Sequence, residues 1–91
     1  MTTIKARVKG KVQGVFFRTY IQREARKLGI VGWIKNEKDG SVSLEACGER
    51  EKLNQLIERI NIGSPASKVE DLDIVWIKGS QRKLNDFQIK K

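Results

Sequence analysis

The spacing of apolar residues changes near residue 10, and this change constrains the fold more than any other feature of the sequence. Apolar and charged residues alternate over residues 4–9, which is the period of a half-buried β-strand. A helical spacing follows, carried by Phe17, Ile21, Ala25 and Leu28. Gly29 is a natural residue to end such a helix. The sequence therefore predicts a strand that leads directly into a helix.

The connection between these two elements, residues 10–18, reads Gly-Lys-Val-Gln-Gly-Val-Phe-Phe-Arg. Gly10 and Gly14 are expected to let the backbone turn sharply and to present successive N–H groups inward. The start of the helix adds a partial positive charge, and Arg18 adds a full charge on a planar fork of donors. A tetrahedral oxyanion such as phosphate fits this arrangement. From the local chemistry alone, a plain strand–helix connection with Arg18 as a solvated first-turn residue is the stronger interpretation.

The remaining pattern predicts a small α+β domain that occupies residues 1–91. Strands are expected over residues 31–36 and 41–47, joined by an Asp39-Gly40 turn. A helix follows over residues 50–62 and is ended by residues 63–65. A strand over residues 69–77 is then interrupted by Gly79 and Ser80, and a short terminal strand is expected around Phe87 and Ile89. This order is the β-α-β-β-α-β plan of the ferredoxin-like, split-βαβ fold. It places two helices on one face of an antiparallel sheet. The terminal strand is expected to add an edge strand.

Composition limits the chemistry available to the chain. The sequence contains no histidine and a single cysteine, Cys47, so neither a zinc site of the usual type nor an intramolecular disulfide is expected. No metal or cofactor is expected. The formal net charge of +8 attracts anions. No apolar run approaches the length of a membrane span or resembles a signal peptide, so a cytoplasmic protein without membrane association is predicted.

The nonapeptide resembles the signature of the acylphosphatase family, Gly-x-Val-Gln-Gly-Val-x-Phe-Arg. The fixed positions of that signature are matched by Gly10, Val12, Gln13, Gly14, Val15, Phe17 and Arg18. A second pattern of the family is matched by Gly32, Trp33, Asn36, Gly40, Val42 and Gly48. Residues 63–69 and 87–89 are also similar to the corresponding parts of the family. Ile34, where many members have a smaller residue, is a departure expected to affect packing only.

This resemblance implies an enzyme that hydrolyses the carboxyl-phosphate bond of small acyl phosphates, without metal or covalent intermediate. It assigns catalysis to Arg18 and Asn36, with Asn36 orienting the attacking water. It assigns phosphate binding to the Arg18 guanidinium and to the backbone N–H groups of the preceding loop, namely Gln13, Gly14, Val15, Phe16, Phe17 and Arg18. Inorganic phosphate is then product and competitive inhibitor. The protein is expected to act as a monomer with no specific nucleic-acid partner.

The chemistry of an acyl phosphate suits such a site. Its leaving group is a carboxylate, comparable to a side chain with a pKa of about 4.3, and needs little help from a general acid. Phosphoryl transfer depends mainly on positioning and on stabilisation of charge. A site without histidine or metal is therefore adequate for acyl phosphates and poor for alkyl phosphate esters.

Two other functions stay open at this point. A basic RNA-binding module can share the β-α-β-β-α-β plan, but it needs aromatic residues on its central strands, and residues 4–9 and 41–47 contain none. A regulatory or carbamoyl-transfer module of a larger assembly is the second, although the short chain argues against it. Taken without the resemblance, Asn36 is more commonly a strand-end residue bonded to its own turn. Trp33 and Trp76 are expected to pack, and Cys47 is expected to be a small buried apolar residue.

Overall fold

A computed structural model describes residues 1–79 and 85–90 of the chain. The elements are β1 (Thr2–Lys11), α1 (Phe17–Lys27), β2 (Val31–Asn36), β3 (Val42–Gly48), α2 (Arg50–Ile62), β4 (Lys68–Lys78) and β5 (Phe87–Lys90). The predicted bounds of β2 and α2 agree with the structure, and β1 and β4 are each longer than predicted. The predicted break after β4 includes Gly79, which has a φ of 79°, and Ser80, which lies outside the described residues.

The strands form one five-stranded sheet in the order β4-β1-β3-β2-β5, which confirms the ferredoxin-like plan with an added edge strand. β1 and β2 are both antiparallel to β3, so they run in the same direction. β5 pairs parallel to β2, which makes the sheet mixed where a fully antiparallel sheet was expected. The C-terminal ends of β1, β2 and β5 consequently lie at the same end of the sheet.

The hydrophobic core lies between one face of the sheet and the two helices. The apolar stripe of α1 is buried at Phe17, Ile21 and Ala25. That of α2 is buried at Leu53, Leu56 and Ile60. The alternating residues of β1 and β3 face them: Ile4, Ala6, Val8, Val42, Leu44 and Ala46. Each fully buried aliphatic side chain of this kind contributes about 1.5–3 kcal/mol relative to exposure. The core therefore fixes the helices, and α1 in particular, against the sheet.

Gly10 does not help to form the turn that was predicted for it. It lies within β1, at the point where the pairing register with β4 shifts. A Cβ atom at Gly10 would stand 2.1 Å from the Lys68 carbonyl oxygen, and the φ of Gly10 is 129°. Gly10 therefore allows close approach of two backbones at a β-bulge, and Gly14 is the only one of the two glycines in the loop.

An ion pair between a buried carboxylate and a partly exposed arginine connects the two helices. The Glu24 carboxylate on α1 accepts a hydrogen bond from Arg59 on α2 and lies 3.2 Å from Lys27 Nζ. Burial alone would raise the pKa of Glu24, but hydrogen bonds and the charges of Lys27 and Arg59 outweigh it and lower the pKa below 4.5. The resulting stability is present above the unfolded pKa and is lost as the pH falls through the folded one.

The two tryptophans lie on opposite faces of the sheet. Trp76 packs against the helix-side core, with the Arg50 guanidinium 4.4 Å from its ring centroid. Trp33 is half-buried on the outer face, where Lys90 Nζ lies 4.6 Å from its ring centroid. The packing role predicted for Trp76 is thus confirmed, and Trp33 packs outside the core. Cys47 is buried, as predicted. No helix among the described residues is long and apolar enough to cross a membrane.

Candidate active site

The loop between β1 and α1 presents backbone N–H groups that the helix does not use. Gly14 has a φ of 71° and Phe16 a φ of 58°, so two residues of this short loop are left-handed. The helical hydrogen bonds begin where the Tyr20 N–H donates to the Phe16 carbonyl at 3.0 Å. Within residues 1–79 and 85–90, the N–H groups of residues 13–16 have no hydrogen-bond partner. Free N–H groups at a helix start form a concave donor surface for an anion.

Arg18 stands in the first turn of α1 and is held by β5. Its Nη1 donates to the Lys90 carbonyl at 3.1 Å. One turn further along α1, Gln22 Nε2 donates to the Phe87 carbonyl at 2.8 Å. After another turn, Arg26 makes a two-point contact with the Asp86 carboxylate, at 2.9 and 2.7 Å. This row of side chains at i, i+4 and i+8 connects α1 to β5 and to Asp86, which precedes β5. The first of these bonds restrains the Arg18 guanidinium.

The side chain of Gln13 connects the loop to the β2–β3 hairpin. Its Nε2 donates to the carbonyls of Glu37 and Ser41, each at 2.8 Å. Both hydrogens of the amide are thereby used within the protein. Gln13 was predicted among the phosphate-binding residues through its backbone N–H, and that group has no partner in the part of the chain that the structure describes. The side chain instead fixes the distance between the loop and the hairpin.

Asn36 is the last residue of β2 and directly precedes the hairpin turn that Gln13 contacts. It shares the helix-side face of β2 with Ile34, since side chains alternate along a strand. Its Oδ1 is buried and has no hydrogen-bond partner among the described residues. A covered acceptor without a partner is costly, and such groups occur at functional sites. The amide therefore retains hydrogen-bonding capacity that the described part of the protein does not use.

The turn after Asn36 has its own hydrogen bonds, which fix its shape. Asp39 Oδ1 accepts from the Ser41 N–H at 2.9 Å and from the Ser41 hydroxyl at 2.5 Å. These bonds, helped by the charges of Arg7 and Lys9, outweigh partial desolvation and lower the pKa of Asp39. Gly40 completes the turn with a φ of 91°, as expected for the Asp-Gly pair. The turn therefore holds the Ser41 carbonyl in place for Gln13.

A surface depression of about 410 Å³ lies over the loop and the start of α1. Its lining residues come from the loop, from the first turn of α1 and from β5: Val12, Gly14, Phe16, Phe17, Arg18, Thr19 and Ile89. The first turn of α1 carries no acidic residue, so Arg18 and the helix start give this depression a positive character. No group of three or more His, Cys, Asp or Glu residues that could hold a metal ion occurs in the described ranges.

The predicted site residues thus lie in two parts of the fold, both at the end of the sheet where β1 and β2 finish. Residues 13–18 form the loop and the first turn of α1, and Asn36 ends β2. Sequence reasoning missed the supporting contacts, namely the side-chain bonds of Gln13 and the row formed by Arg18, Gln22 and Arg26. The helical spacing of that row was a visible signal, but its partners on β5 were not.

Comparison with known proteins identifies the family. The acylphosphatase family model matches residues 4–89. An acylphosphatase from Salinibacter ruber is 47% identical over 73 residues, which cover 80% of this chain and 77% of that protein. An acylphosphatase from Coxiella burnetii is 39% identical over 89 residues, covering 98% and 92%. The crystal structure of acylphosphatase from Bacillus subtilis is similar over 100% of both chains, with a TM-score of 0.96 and 36% identity.

These matches cover the loop, Arg18, Asn36 and both sheet edges, and they are to hydrolases rather than to RNA-binding modules. The chain therefore belongs to the acylphosphatase family.

Proposed function

We propose that this protein hydrolyses small acyl phosphates to a carboxylate and inorganic phosphate, with the phosphoryl group bound at the start of α1. The reaction follows from membership of the acylphosphatase family. The observation that carries the assignment of the site is the loop of residues 13–18, whose unused N–H groups adjoin Arg18. Because these donors are fixed before substrate arrives, they stabilise charge on the phosphoryl oxygens without reorganisation.

Arg18 supplies the positive charge in this proposal. A guanidinium offers several N–H donors in one plane and matches two phosphoryl oxygens at once. Its bond to the Lys90 carbonyl uses Nη1 and limits the positions that the side chain can take. Bound in this way, the phosphoryl group presents phosphorus to a water on the side opposite the acyl oxygen.

Asn36 orients that water. An amide both accepts and donates hydrogen bonds without a change of charge, so it can hold a neutral water in one orientation. Support comes from the position of Asn36 at the end of β2, next to the hairpin that Gln13 contacts, and from the bonds that fix the hairpin turn behind it. The water oxygen forms the new bond to phosphorus. The old bond breaks with its electron pair on the carboxylate oxygen, and the proton released from the water leaves on phosphate or to solvent.

The proposed reaction needs neither metal nor cofactor. A carboxylate leaves as a stable anion, so no group is required to protonate it. The chain contains no histidine to act as a general acid or base. We further propose that the protein acts as a monomer in the cytoplasm, and that inorganic phosphate competes with substrate because it presents the same oxygens to the loop.

A paired substrate assay tests this proposal. Purified protein is given benzoyl phosphate or p-nitrophenyl phosphate, each with and without a chelator in excess. We expect hydrolysis of benzoyl phosphate that the chelator does not reduce, competitive inhibition by inorganic phosphate, and slow hydrolysis of the ester. Equal hydrolysis of both substrates, or activity that is abolished by chelation and restored by magnesium, would contradict the proposed site.

A further inference from the structure

Phe16 is an exposed aromatic residue in a backbone conformation that disfavours it. Its side chain is 82% exposed, and it is the only non-glycine residue with a positive φ among the residues described, with φ 58° and ψ 22°. A bulky residue in the left-handed region is strained. Because the ring is exposed, it adds little packing energy that could offset this strain. Packing within the fold therefore does not explain a phenylalanine at this position, whereas contact with a ligand would explain it.

A second, mainly apolar cleft shares Phe16 with the depression over the loop. Its volume is about 340 Å³, within the range of pockets that accept small organic groups. Its walls are mostly apolar and aromatic, with Thr19, Arg23 and Ser64 as the polar members. The full lining is Val15, Phe16, Thr19, Tyr20, Arg23, Ser64, Pro65 and Ala66.

Hydrogen bonds within the protein fix the segment that closes the cleft. The Ser64 hydroxyl donates to the Val15 carbonyl at 3.0 Å, and the Ser67 hydroxyl donates to the Ser64 carbonyl at 2.8 Å. These bonds fix residues 64–67 against the loop and occupy polar groups that would otherwise face the cleft. What is left for a ligand is mainly hydrocarbon surface.

The cleft adjoins the depression over the phosphate loop. Phe16 and Thr19 line both. In an acyl phosphate the carbonyl carbon is separated from phosphorus by a single oxygen, so the acyl group must leave the loop within a very short distance. A phosphoryl group bound at the start of α1 can therefore extend its acyl group across Phe16 into the cleft.

Resting on the proposed function, we propose that this cleft binds the acyl group of apolar acyl phosphates and that the Phe16 ring determines this preference. The phosphoryl group is held by the loop on one side of the ring, and an aryl or alkyl acyl group packs on the other side. Acyl phosphates with an aromatic or longer alkyl group are then preferred over acetyl phosphate, which is too short to reach the cleft.

The test compares selectivity in Phe16→Asn. Asparagine tolerates the left-handed conformation, so this variant removes the ring while the backbone of the loop is retained. The ratio of kcat/KM for benzoyl phosphate to that for acetyl phosphate is expected to fall about tenfold, as for loss of a small apolar contact. Ala66→Trp, which fills the cleft from its other wall, is expected to lower the same ratio.

Val75→Thr is the matched control. Val75 is also an exposed apolar residue, at 59%, but it lies on the outer face of the sheet, opposite the helices. Its substitution should leave the selectivity ratio unchanged. If both Phe16→Asn and Ala66→Trp leave the ratio at the wild-type value, the proposal is wrong.

A binding measurement separates this proposal from the proposed function because it needs no turnover. Calorimetry should give a dissociation constant for benzylphosphonate about tenfold lower than for methylphosphonate in the wild type. The difference should disappear in Phe16→Asn. Equal binding of the two phosphonates by the wild type would overturn the role of the cleft even in an active enzyme. Absence of any acyl phosphate hydrolysis would instead overturn the proposed function.

Discussion

The two helices begin in opposite electrostatic surroundings, although neither has a side-chain cap at its start. Glu49 precedes α2 and Glu51 lies in its first turn, so acidic residues of the chain itself face the positive end of that helix. The first turn of α1 contains no acidic residue and carries Arg18 instead. The residue before α1, Phe16, is left-handed, whereas Glu49 is extended.

This difference separates a helix start that stabilises the fold from one that is free for a ligand. At α2 the partial positive charge is offset within the protein, and the helix contributes mainly its buried stripe. At α1 the same partial charge is reinforced by an arginine and by the unused N–H groups of the loop. A fold under no functional constraint would favour the arrangement of α2 at both places.

The largest effect is expected from substitution of Arg18, because this charge is the main difference between the first turn of α1 and that of α2. Arg18→Ala should reduce turnover by on the order of 10²–10³-fold and should also raise the inhibition constant of phosphate. In the proposed mechanism the guanidinium contacts the phosphoryl group in both the ground and the transition state, so both constants should change. Arg18→Lys should restore little, because a point charge lacks the planar fork. Steady-state kinetics with thermal melts as a folding control measure this, and a folded, fully active Arg18→Ala would contradict it.

Substitution of Asn36 should lower turnover without changing phosphate binding. In Asn36→Ala, kcat should fall by up to on the order of 10²–10³-fold while the phosphate inhibition constant stays near the wild-type value. The reason is that the proposed mechanism assigns Asn36 to the attacking water, which matters on the way to the transition state. The same kinetic experiment measures both constants. A folded Asn36→Ala protein with full kcat would remove this residue from the mechanism.

Substitution of Gln13 should have the next largest effect, because its side chain fixes the loop before α1 relative to the hairpin that follows Asn36. Gln13→Ala should lower kcat on the order of 10–10²-fold through misplacement of the water. A double-mutant cycle measures this: in an Asn36→Ala background, Gln13→Ala should have almost no further effect on kcat.

Gln22→Ala is the matched control, since it also removes a 2.8 Å bond from a glutamine to a backbone carbonyl. Its effect should add to that of Asn36→Ala. Additivity for Gln13 as well would mean that Gln13 stabilises the fold and does not position Asn36.

The smallest effect comes from exchanging the charges of the two helix starts. Thr19→Glu places a carboxylate in the first turn of α1, as in α2. It should stabilise the helix by about 0.3–1 kcal/mol yet weaken phosphate inhibition by about tenfold through repulsion. Glu51→Gln should cost α2 about 0.3–1 kcal/mol and leave phosphate inhibition unchanged. Thermal melts and phosphate inhibition of both variants test this, and tighter phosphate binding in Thr19→Glu would contradict it.

Local patterns predicted most of the fold. The change of apolar period predicted β1 and α1. The bounds of β2 and α2 agree with the structure, helped by the turn residues that follow them. The parallel pairing of β5 could not be predicted, since it depends on where the chain crosses after β4. Gly10 was assigned to a turn because its identity does not distinguish a turn from close approach of another strand.

The site shows the same division. The two family patterns predicted the loop, Arg18 and Asn36 as site residues, but not the contacts that support them. The Gln13 bonds join residues 24 and 28 positions apart in the sequence, and the Arg18 bond joins residues 72 apart. Such contacts depend on the assembled sheet, which brings the ends of β1, β2 and β5 together. The strain at Phe16 is likewise a backbone property with no sequence pattern of its own.

The most direct test of the account is a titration of the isotope-labelled protein with inorganic phosphate, followed by the amide signals in two-dimensional NMR. Saturable shifts are expected for the amides of residues 14–18, with no comparable shifts at Glu51 and Lys52 in the first turn of α2. An equal concentration of chloride should not reproduce them. Shifts at the start of α2, or none in the loop at phosphate concentrations that inhibit hydrolysis, would contradict the claim that the start of α1 is the anion site.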